Sequence, residues 1–377
     1  MKIINNPFEL FSYQGPAYFC DREEELSVLQ EAFDNRRNLV LYSSRRLGKT
    51  SLIQHWHHHL EKTKKTIPIY IDVLDTTSDE AFINKLMSAI FQKLQEKENL
   101  LSVILDKFQS VRPKIGVDPS TGMPTVTLSI QSDQDVNYSL AGIFNLLTQR
   151  KENIQLAFDE FQQIANYDST KTDATIRSFY PAAKNIHFMY LGSEKHLLQH
   201  LFMHSSMPMF STVQMLHLDY IGYAPYFDFI KEKFMDYGKE IADLYIHEIL
   251  TWTRRHTFYT HFLCNQVFSK TKEKVTKDIV SRSKDSCLKQ FEANYLYYQK
   301  ILSPNQWKLL KAIAKERSVQ QFFGKDFLST YRLSASSTRQ SLNYLIKNQL
   351  VDDENTDDGI SYFVNDVFLS RWLENKD

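Results

Sequence analysis

Residues 39–53 read LVLYSSRRLGKTSLI, and this stretch decides the fold class. The apolar run from Leu39 to Tyr42 predicts a buried strand, and the residues that follow Lys49 predict a helix. Between them lies a short basic loop that nearly matches the pattern G-x-x-x-x-G-K-[ST], with Ser43 in place of the first glycine. The strand, loop and helix together favour a phosphate-binding loop, because backbone N–H groups and a helix N-terminus then converge on an anion.

The residue types in this loop predict specific contacts with a nucleotide. Lys49 is expected to contact the β- and γ-phosphates, and the Thr50 hydroxyl to ligate Mg²⁺. Ser43 is compatible with this role if its φ is negative, since a positive φ favours glycine. Arg45 and Arg46 are candidates for positive charge at the transferred phosphate or at a subunit interface, as is Arg177 further along the chain. The residues predicted to bind the phosphates are Ser44, Arg45, Arg46, Leu47, Gly48, Lys49, Thr50 and Ser51.

Apolar strands alternate with helical patterns over the first 200 residues. Strands apolar nearly throughout are typical of a sheet covered by helices on both faces, so we predict an α/β fold with a doubly wound parallel sheet. Two β-like runs between Val111 and Ile130 predict an inserted hairpin. Strands are predicted at Asn38 to Tyr42, Thr66 to Val73, Ile154 to Phe158 and Ile186 to Leu191, and helical patterns at Lys49 to Glu61, Thr77 to Leu105 and Leu140 to Arg150.

Polar residues follow two of these predicted strands. In IQLAFDEFQQI, Asp159 and Glu160 end an apolar strand at the sheet edge where ligands bind. Asp159 is expected to hold Mg²⁺ and Glu160 to orient or deprotonate the attacking water. The alternative is an acidic helix start. In MYLGSEKHLLQHLF, Ser193 could sense the γ-phosphate, cap the helix from Glu194 to Phe202, or do both.

The composition excludes several classes of protein. The chain has 377 residues, 42% of them hydrophobic, and 45 basic residues balance 45 acidic ones. A globular protein with no general attraction for nucleic acid follows. No apolar window is long enough to span a membrane, and the three cysteines are widely separated, so we expect a cytoplasmic protein.

Five spaced motifs resemble a known family: NNPFELF (5–11), YFCDREEELSVL (18–29), SSRRLGKTSLI (43–53), FDEFQQI (158–164) and LGSEKHLL (191–198). Their order is similar to that in the archaeal-type ATPases of the STAND class of P-loop NTPases, which are related to the AAA+ superfamily and to replication-initiator ATPases. The resemblance implies ATP or ADP as ligand, Mg²⁺ as cofactor, and a helical lid after the sheet domain.

The same resemblance implies that Pro7, Phe8, Phe19 and Arg22 pack over the nucleotide base. From the residues alone, Asp21 and the three glutamates after it are instead a helix N-cap and an acidic first turn.

The sequence departs from the family's pattern in its lid segment, RRHTFYTHFLCNQVF (254–268). Thr257 stands where the family has proline, which puts nucleotide sensing by His256 in doubt. Arg254 and Arg255 are either phosphate contacts or solvated surface residues. Aromatic residues beyond Leu216 recur at helical spacing and predict the core of the lid.

Three helical patterns and two strands from Ser303 to Asp366 predict a winged helix-turn-helix. Arg332, Arg339 and Lys347 could contact DNA, but an acidic wing favours a contact with protein or with the rest of the chain. The acidic residues of the wing are Asp352, Asp353, Glu354, Asp357 and Asp358. We therefore predict three domains: an ATPase core (1–215), a helical lid (216–296) and a winged helix domain (297–377).

A cluster of histidines, QHWHHHL, lies on the helix after the loop. His55 and His59 are four residues apart, a spacing that can bind zinc. A solvated helix face is the alternative that we favour for His55, His57, His58 and His59.

Together these features predict a Mg-dependent ATP-binding protein that hydrolyses ATP slowly and acts as a nucleotide-controlled switch. Its partner would be an unidentified protein or a second copy of the chain. Two alternatives remain open: a DNA-binding initiator or regulator ATPase, and a degenerate nucleotide-binding scaffold.

Overall fold

The computed structural model describes residues 5–8, 10, 12–94, 100–119, 122–167, 171–356 and 359–376. Glu9 and Phe11 of the NNPFELF motif, Asp357 and Asp358 of the predicted wing, and part of the predicted helical stretch 77–105 lie outside these residues. The chain divides into two compact units, Ser12–Tyr220 (the sheet unit) and Met1–Phe11 with Ile221–Asp377 (the helical unit). The three-domain division stays a prediction.

The sheet unit contains a parallel sheet with helices packed on it, as predicted. Its helices are α1 (Glu23–Asp34), α2 (Lys49–Thr63), α3 (Asp79–Leu94), α4 (Leu100–Lys107), α5 (Asp133–Thr148), α6 (Lys171–Phe179) and α7 (Lys195–Met203). Its strands are β1 (Leu39–Tyr42), β2 (Thr66–Asp72), β3 (Lys114–Val117), β4 (Pro124–Thr127), β5 (Asn153–Asp159), β6 (Ile186–Gly192) and β7 (Gln214–His217).

Five strands form the main sheet in the order β2-β5-β6-β1-β7, with every neighbouring pair parallel. Strand β7 was not predicted; it has only four residues, and three of them are half-buried. Strand β6 lies between β1, which precedes the loop, and β5, which ends in Asp159. The carboxyl ends of these three strands therefore meet at one edge of the sheet.

The predicted hairpin is present as the antiparallel pair β3 and β4, separate from the main sheet. Strand β4 is attached to helix α3 by side-chain bonds to its backbone. Ser88 Oγ donates to the Val126 carbonyl at 3.1 Å and accepts from the Val126 amide at 3.1 Å. The hairpin thus packs beside α3 and is not a part of the main sheet.

Two predicted helix caps are wrong. Helix α1 begins after Arg22, which has a left-handed backbone (φ 85°) and makes no side-chain capping bond, so Asp21 is not the N-cap. Helix α7 begins after Glu194, so Ser193 is not its N-cap either. Both helices begin one residue later than the cap pattern predicted. The Ser193 hydroxyl makes its hydrogen bond elsewhere.

The helical unit contains eight helices and one hairpin among its described residues. The elements are α8 (Tyr223–Asp236), α9 (Asp243–Trp252), α10 (Thr257–Lys270), α11 (Lys277–Ile301), α12 (Pro304–Glu316), α13 (Lys325–Thr330), α14 (Ala335–Lys347), β8 (Val351–Thr356), β9 (Gly359–Val364) and α15 (Val367–Glu374). The winged helix consists of α12, α13 and α14 with the antiparallel strands β8 and β9, as predicted. Helix α15 was not predicted, although seven of its eight residues are buried.

Helix α15 joins the lid helices to the winged helix within this unit. Phe368 is fully buried, and its ring lies within 6 Å of four aromatic rings from three lid helices. Those rings belong to Trp252, Tyr259, Phe262 and Phe291. These five aromatic residues thus pack together in the core of the unit, as the helical spacing predicted.

Candidate nucleotide-binding site

The loop between β1 and α2 contains two residues with a left-handed backbone. Positive φ angles occur at Arg46 (64°) and Gly48 (102°), and not at Ser43. The first loop position therefore does not need glycine, which removes the objection raised by the serine. Gly48 is also the N-cap residue of α2 and has no side chain to shield the first amides of that helix.

Lys49 lies inside the loop and is 5% exposed. Its Nζ donates to the Ser43 carbonyl at 3.2 Å, to Ser43 Oγ at 3.3 Å and to the Ser44 carbonyl at 3.3 Å. Burial lowers the pKa of this ammonium, and the carboxylates of Glu160 and Asp159 partly offset the shift. A desolvated cation held only by neutral oxygens would gain from an anionic ligand.

Thr50 and Asp159 meet at the edge of the sheet. The Thr50 hydroxyl donates to Asp159 Oδ2 at 2.6 Å, and the Tyr70 hydroxyl donates to the same oxygen at 2.6 Å. Asp159 Oδ1 accepts the Glu160 amide at 2.9 Å, and the carboxylate is 3% exposed. A hydroxyl beside a buried carboxylate is a donor set that suits Mg²⁺, because this ion prefers oxygen ligands and few of them from protein.

Glu160 is held by two side chains from the same edge. Ser193 Oγ donates to Glu160 Oε2 at 2.8 Å, and Gln162 Nε2 donates to the same oxygen at 2.5 Å. The backbone of Glu160 is left-handed (φ 53°), which turns the chain sharply after β5. Gly192 leaves room for this arrangement, since a Cβ there would lie 2.1 Å from Gln162 Oε1.

Sequence reasoning missed Tyr70 and Gln162. Tyr70 is a polar residue in an apolar strand, which is a weak signal on its own, and its partner Asp159 is 89 residues away. Gln162 follows Glu160 by two residues within FDEFQQI. The sequence therefore shows that the two residues are close, but not that the Gln162 side chain turns toward the Glu160 carboxylate.

The predicted arginines lie in different settings. Arg45 is about half exposed and is 3.5 Å from the Glu194 carboxylate. Arg46 has the left-handed backbone described above and is exposed. Arg177 is an exposed residue of α6. These positions do not show which of the three arginines would supply positive charge to the transferred phosphate, so the roles of all three stay predictions.

Two of the residues expected at the nucleotide base belong to the helical unit. Phe8 is fully buried there, and its ring contacts Phe229, Phe234 and Phe268. The buried Pro7 precedes it, and the Phe8 carbonyl accepts from Asn265 Nδ2 at 3.0 Å. Phe8 thus belongs to the core of the helical unit, and the expected contact of Pro7 and Phe8 with the base stays a prediction.

Phe19 and Arg22 belong to the sheet unit. The Phe19 ring stacks on His55, with centroids 4.0 Å apart and planes 9° apart. Arg22 is 5% exposed, and its Nη1 donates to Glu25 at 2.7 Å, while Nη2 has no hydrogen-bond partner among the residues that the structure describes. A buried guanidinium nitrogen without a partner keeps Arg22 a candidate ligand contact.

The lid arginines make contacts within the helical unit, so a purely solvated surface role is wrong for them. Arg254 Nη2 donates to Ser370 Oγ at 2.8 Å, and Arg255 Nη1 donates to the Ile221 carbonyl at 3.2 Å. His256 is 3% exposed and is the N-cap residue of α10, which begins at Thr257 even without proline.

The histidine cluster is only partly solvated, so the predicted solvated face is wrong for His55 and His57. Both are buried, at 7% and 8% exposure, while His59 is exposed. His57 faces Gln155 of β5, with its Nε2 bonded to Gln155 Oε1. Burial lowers the pKa of His55 and of His57 to about 4.

The family follows from a sequence comparison made independently of this geometry. Residues 19–243 match the model of an ATPase domain predominantly from Archaea. The chain belongs to this ATPase family. Residues 293–375 match a probable winged helix domain. A search of curated proteins found no significant match.

Solved structures of similar fold include other ATPases. A Walker-type ATPase of Pyrococcus abyssi has a TM-score of 0.66 at 18% identity, over 97% of this chain and 99% of that one. The ORC2 protein of Aeropyrum pernix, solved as ADPNP-ADP complexes, gives 0.61 at 12% identity, over 98% and 95%. The ORC1 protein of the same organism, solved with DNA, gives 0.54 at 12% identity, over 96% and 94%. At these identities the likeness shows the fold of this archaeal-type ATPase.

The described residues contain neither a membrane-spanning helix nor a protein-only metal cluster. In the part of the chain that the structure describes, no helix is long and apolar enough to cross a membrane. Over the same residues, no group of three or more His, Cys, Asp and Glu side chains could hold a metal ion. A Mg²⁺ ion bound by this ATPase would therefore depend on Thr50, Asp159, a nucleotide and water, as is usual for this ion.

Proposed function

We propose that this archaeal-type ATPase is a nucleotide-controlled switch of the STAND class that binds ATP with Mg²⁺ and hydrolyses it slowly. The observation that carries the proposal is the 2.6 Å hydrogen bond from the Thr50 hydroxyl to Asp159 Oδ2. Thr50 directly follows Lys49 of the loop. The hydrogen bond unites a phosphate-binding loop with a buried carboxylate. A cytoplasmic location belongs to the proposal and is consistent with three buried cysteine thiols, Cys20, Cys264 and Cys287.

When bound, Mg-ATP supplies the phosphoryl group and the divalent charge that stabilises its transfer. Lys49 would exchange its neutral oxygen partners in the loop for phosphate oxygens, and Thr50 and Asp159 would supply metal ligands. Glu160 would orient the attacking water and accept its proton, with Ser193 and Gln162 holding the carboxylate in place. Arg22, Arg45 and Arg46 are proposed contacts of the nucleotide or of a neighbouring subunit.

Slow turnover would make the chain a switch, because ATP and ADP states then persist long enough for a partner to distinguish them. Ser193 is the proposed link, since its hydroxyl bonds to the residue that contacts the attacking water. The effector would be the winged helix, acting on an unidentified protein or on a second copy of this chain. Asp352, Asp353 and Glu354 on strand β8 favour a protein partner over DNA.

Two substitutions separate binding from turnover. Lys49→Ala should abolish ATP binding, measured with a fluorescent ATP analogue, because the loop loses its cation. Glu160→Gln should keep ATP binding and lose hydrolysis, measured as released phosphate. Lys62→Ala, which changes an exposed lysine on the same helix, is the control for both assays. Equal hydrolysis by wild type and Glu160→Gln would refute the role of this carboxylate.

A DNA-binding initiator or regulator ATPase is the second candidate. Arg339 and Lys347 are exposed on α14, the third helix of the winged helix, and Arg332 is exposed just before it. A gel shift at increasing salt tests this function, because affinity that depends on phosphate contacts falls steeply with salt. Absence of a shift at low salt would exclude it.

A degenerate scaffold is the other alternative, and it would not bind nucleotides. If neither ATP nor ADP raised the melting temperature in the presence of Mg²⁺, the chain would not bind nucleotide and the scaffold would replace the proposed ATPase.

A further inference from the structure

His55 and His59 on helix α2 face each other with their ring nitrogens. The two Nε2 atoms are 3.1 Å apart, and the ring planes are 69° apart. An imidazole lone pair lies in the plane of its ring, so two nitrogens this close can both bind one ion once the proton that they share has moved to another ring nitrogen or has been released. The pair lies on α2 beyond Lys49, separate from the proposed Mg²⁺ position at Thr50.

The separation of these nitrogens matches the needs of a transition-metal ion. Metal–nitrogen bonds of imidazole are about 2.0–2.1 Å long, so two such ligands are about 2.9 Å apart at a 90° bond angle and about 3.3 Å apart at a tetrahedral angle. The observed 3.1 Å lies between these values. An ion could therefore enter with side-chain shifts of a few tenths of an ångström.

His55 is fixed in the orientation that a ligand needs. Its Nδ1 lies 2.8 Å from the Tyr13 hydroxyl, and Phe19 stacks flat on its ring. If the Tyr13 oxygen accepts the Nδ1 proton, Nε2 carries the free lone pair, which is the usual arrangement behind a metal-bound histidine.

Other histidines of the chain lack this geometry. His200 and His204 are also four residues apart, but their rings are stacked with planes 27° apart and centroids at 5.2 Å. His204 Nδ1 is bonded to Ser206 Oγ at 2.7 Å. His58 lies next to His59, with ring centroids 6.1 Å apart. These residues provide matched controls for the pair.

We propose that His55 and His59 form a two-histidine site for a divalent transition-metal ion. Imidazole nitrogen suits Cu²⁺, Ni²⁺ and Zn²⁺, and Cu²⁺ should bind most tightly of the three. Because no third protein ligand of the His, Cys, Asp or Glu type joins the pair among the described residues, water would complete the coordination. The exposed His59 gives the ion access from solvent.

The site can be tested by titrating the untagged full chain with Cu²⁺ and with Zn²⁺ in a calorimeter, without nucleotide. We expect one equivalent to bind, with affinity reduced at least tenfold in His59→Ala and unchanged in His58→Ala and His204→Ala. Tyr13→Phe should weaken binding about 10- to 100-fold, since the orienting partner of His55 is lost. Electron paramagnetic resonance of the Cu²⁺ complex should show two nitrogen ligands.

Three results would overturn the proposal. They are no stoichiometric binding by wild type, equal binding by wild type and His59→Ala, and an equal loss of affinity in His204→Ala. The first would leave the pair as a histidine–histidine hydrogen bond only. His59 is exposed, so its replacement should not disturb folding, and circular dichroism checks this for each variant.

Discussion

Arg371 of helix α15 connects the winged helix to the lid through buried bonds. It is 7% exposed, its Nε donates to the Trp252 carbonyl at 2.9 Å, and its Nη2 donates to the Thr251 carbonyl at 3.3 Å. These carbonyls are in the last turn of α9, where a cation also stabilises the helix dipole. Its Nη1 donates to both oxygens of Glu374, at 2.8 and 2.9 Å.

We expect Arg371→Met to destabilise the helical unit by about 3–5 kcal/mol. Methionine keeps much of the apolar part of the arginine side chain, so the substitution removes chiefly the hydrogen bonds of the guanidinium group. Two carbonyls lose a charged donor, each loss costing about 1–3 kcal/mol if they stay buried. Glu374 also loses its partner, but its side chain is 22% exposed, so water replaces much of that contact and the two carbonyls account for most of the loss.

Urea unfolding followed by tryptophan fluorescence measures this effect. Trp252, Trp307 and Trp372 lie in the helical unit and Trp56 in the sheet unit, so the signal comes mainly from the helical unit. The control is Arg282→Met, because Arg282 is 74% exposed and pairs with an exposed Asp278. Such surface pairs contribute little. Similar unfolding midpoints for the two variants would refute the assigned role of Arg371.

Three further predictions concern the core and the site. Gly192→Ala should cost about 1–3 kcal/mol in urea unfolding and lower ATP hydrolysis, because the new Cβ would displace Gln162 from Glu160. The fold lowers the pKa of His57 to about 4, so the unfolded chain binds a proton at this residue first as the pH falls below about 6.5, and the folded state loses stability. His57→Gln removes this titration. The stability lost between pH 7 and pH 5, measured by urea unfolding at both pH values, should therefore be about 2 kcal/mol smaller in His57→Gln than in wild type. Phe8→Ala should cost about 3–5 kcal/mol and leave nucleotide affinity unchanged, measured by unfolding and by ligand titration.

Each of these has a control or a contrary result. Adding Gln162→Ala to Gly192→Ala should recover part of the lost stability, since it removes the clashing oxygen. For His57→Gln, an unchanged difference between the two pH values would show that His57 is not the titrating group. A tenfold weaker nucleotide affinity in Phe8→Ala would restore the base contact that the family resemblance implied for this residue.

The loop, the parallel sheet and the winged helix were predictable from sequence because each depends on short-range patterns. Strand β7 was missed because its four residues, three half-buried and one exposed, carry no clear periodicity. Helix α15 was missed because eight residues after the wing offer too few turns for a helical pattern to be distinguished.

Long-range partners explain what the sequence could not show. His57 is buried against Gln155, 98 residues away, whereas the polar residues around it on its helix predicted a solvated face. The ring partners of Phe8 lie more than 200 residues later in the chain, and its contact with the base stays a prediction from the resemblance. Predicting which polar and aromatic residues meet would have required the tertiary fold.

The core of the helical unit has a consequence for biosynthesis. Phe8 is translated first, yet its partners begin at Phe229, and Phe368 covers the lid aromatics only after translation has passed α15. The sheet unit, whose strands all lie between residues 39 and 217, is translated in full before those partners. We therefore expect it to fold first on the ribosome, while chains released before residue 367 would expose the lid aromatics to chaperones and proteases.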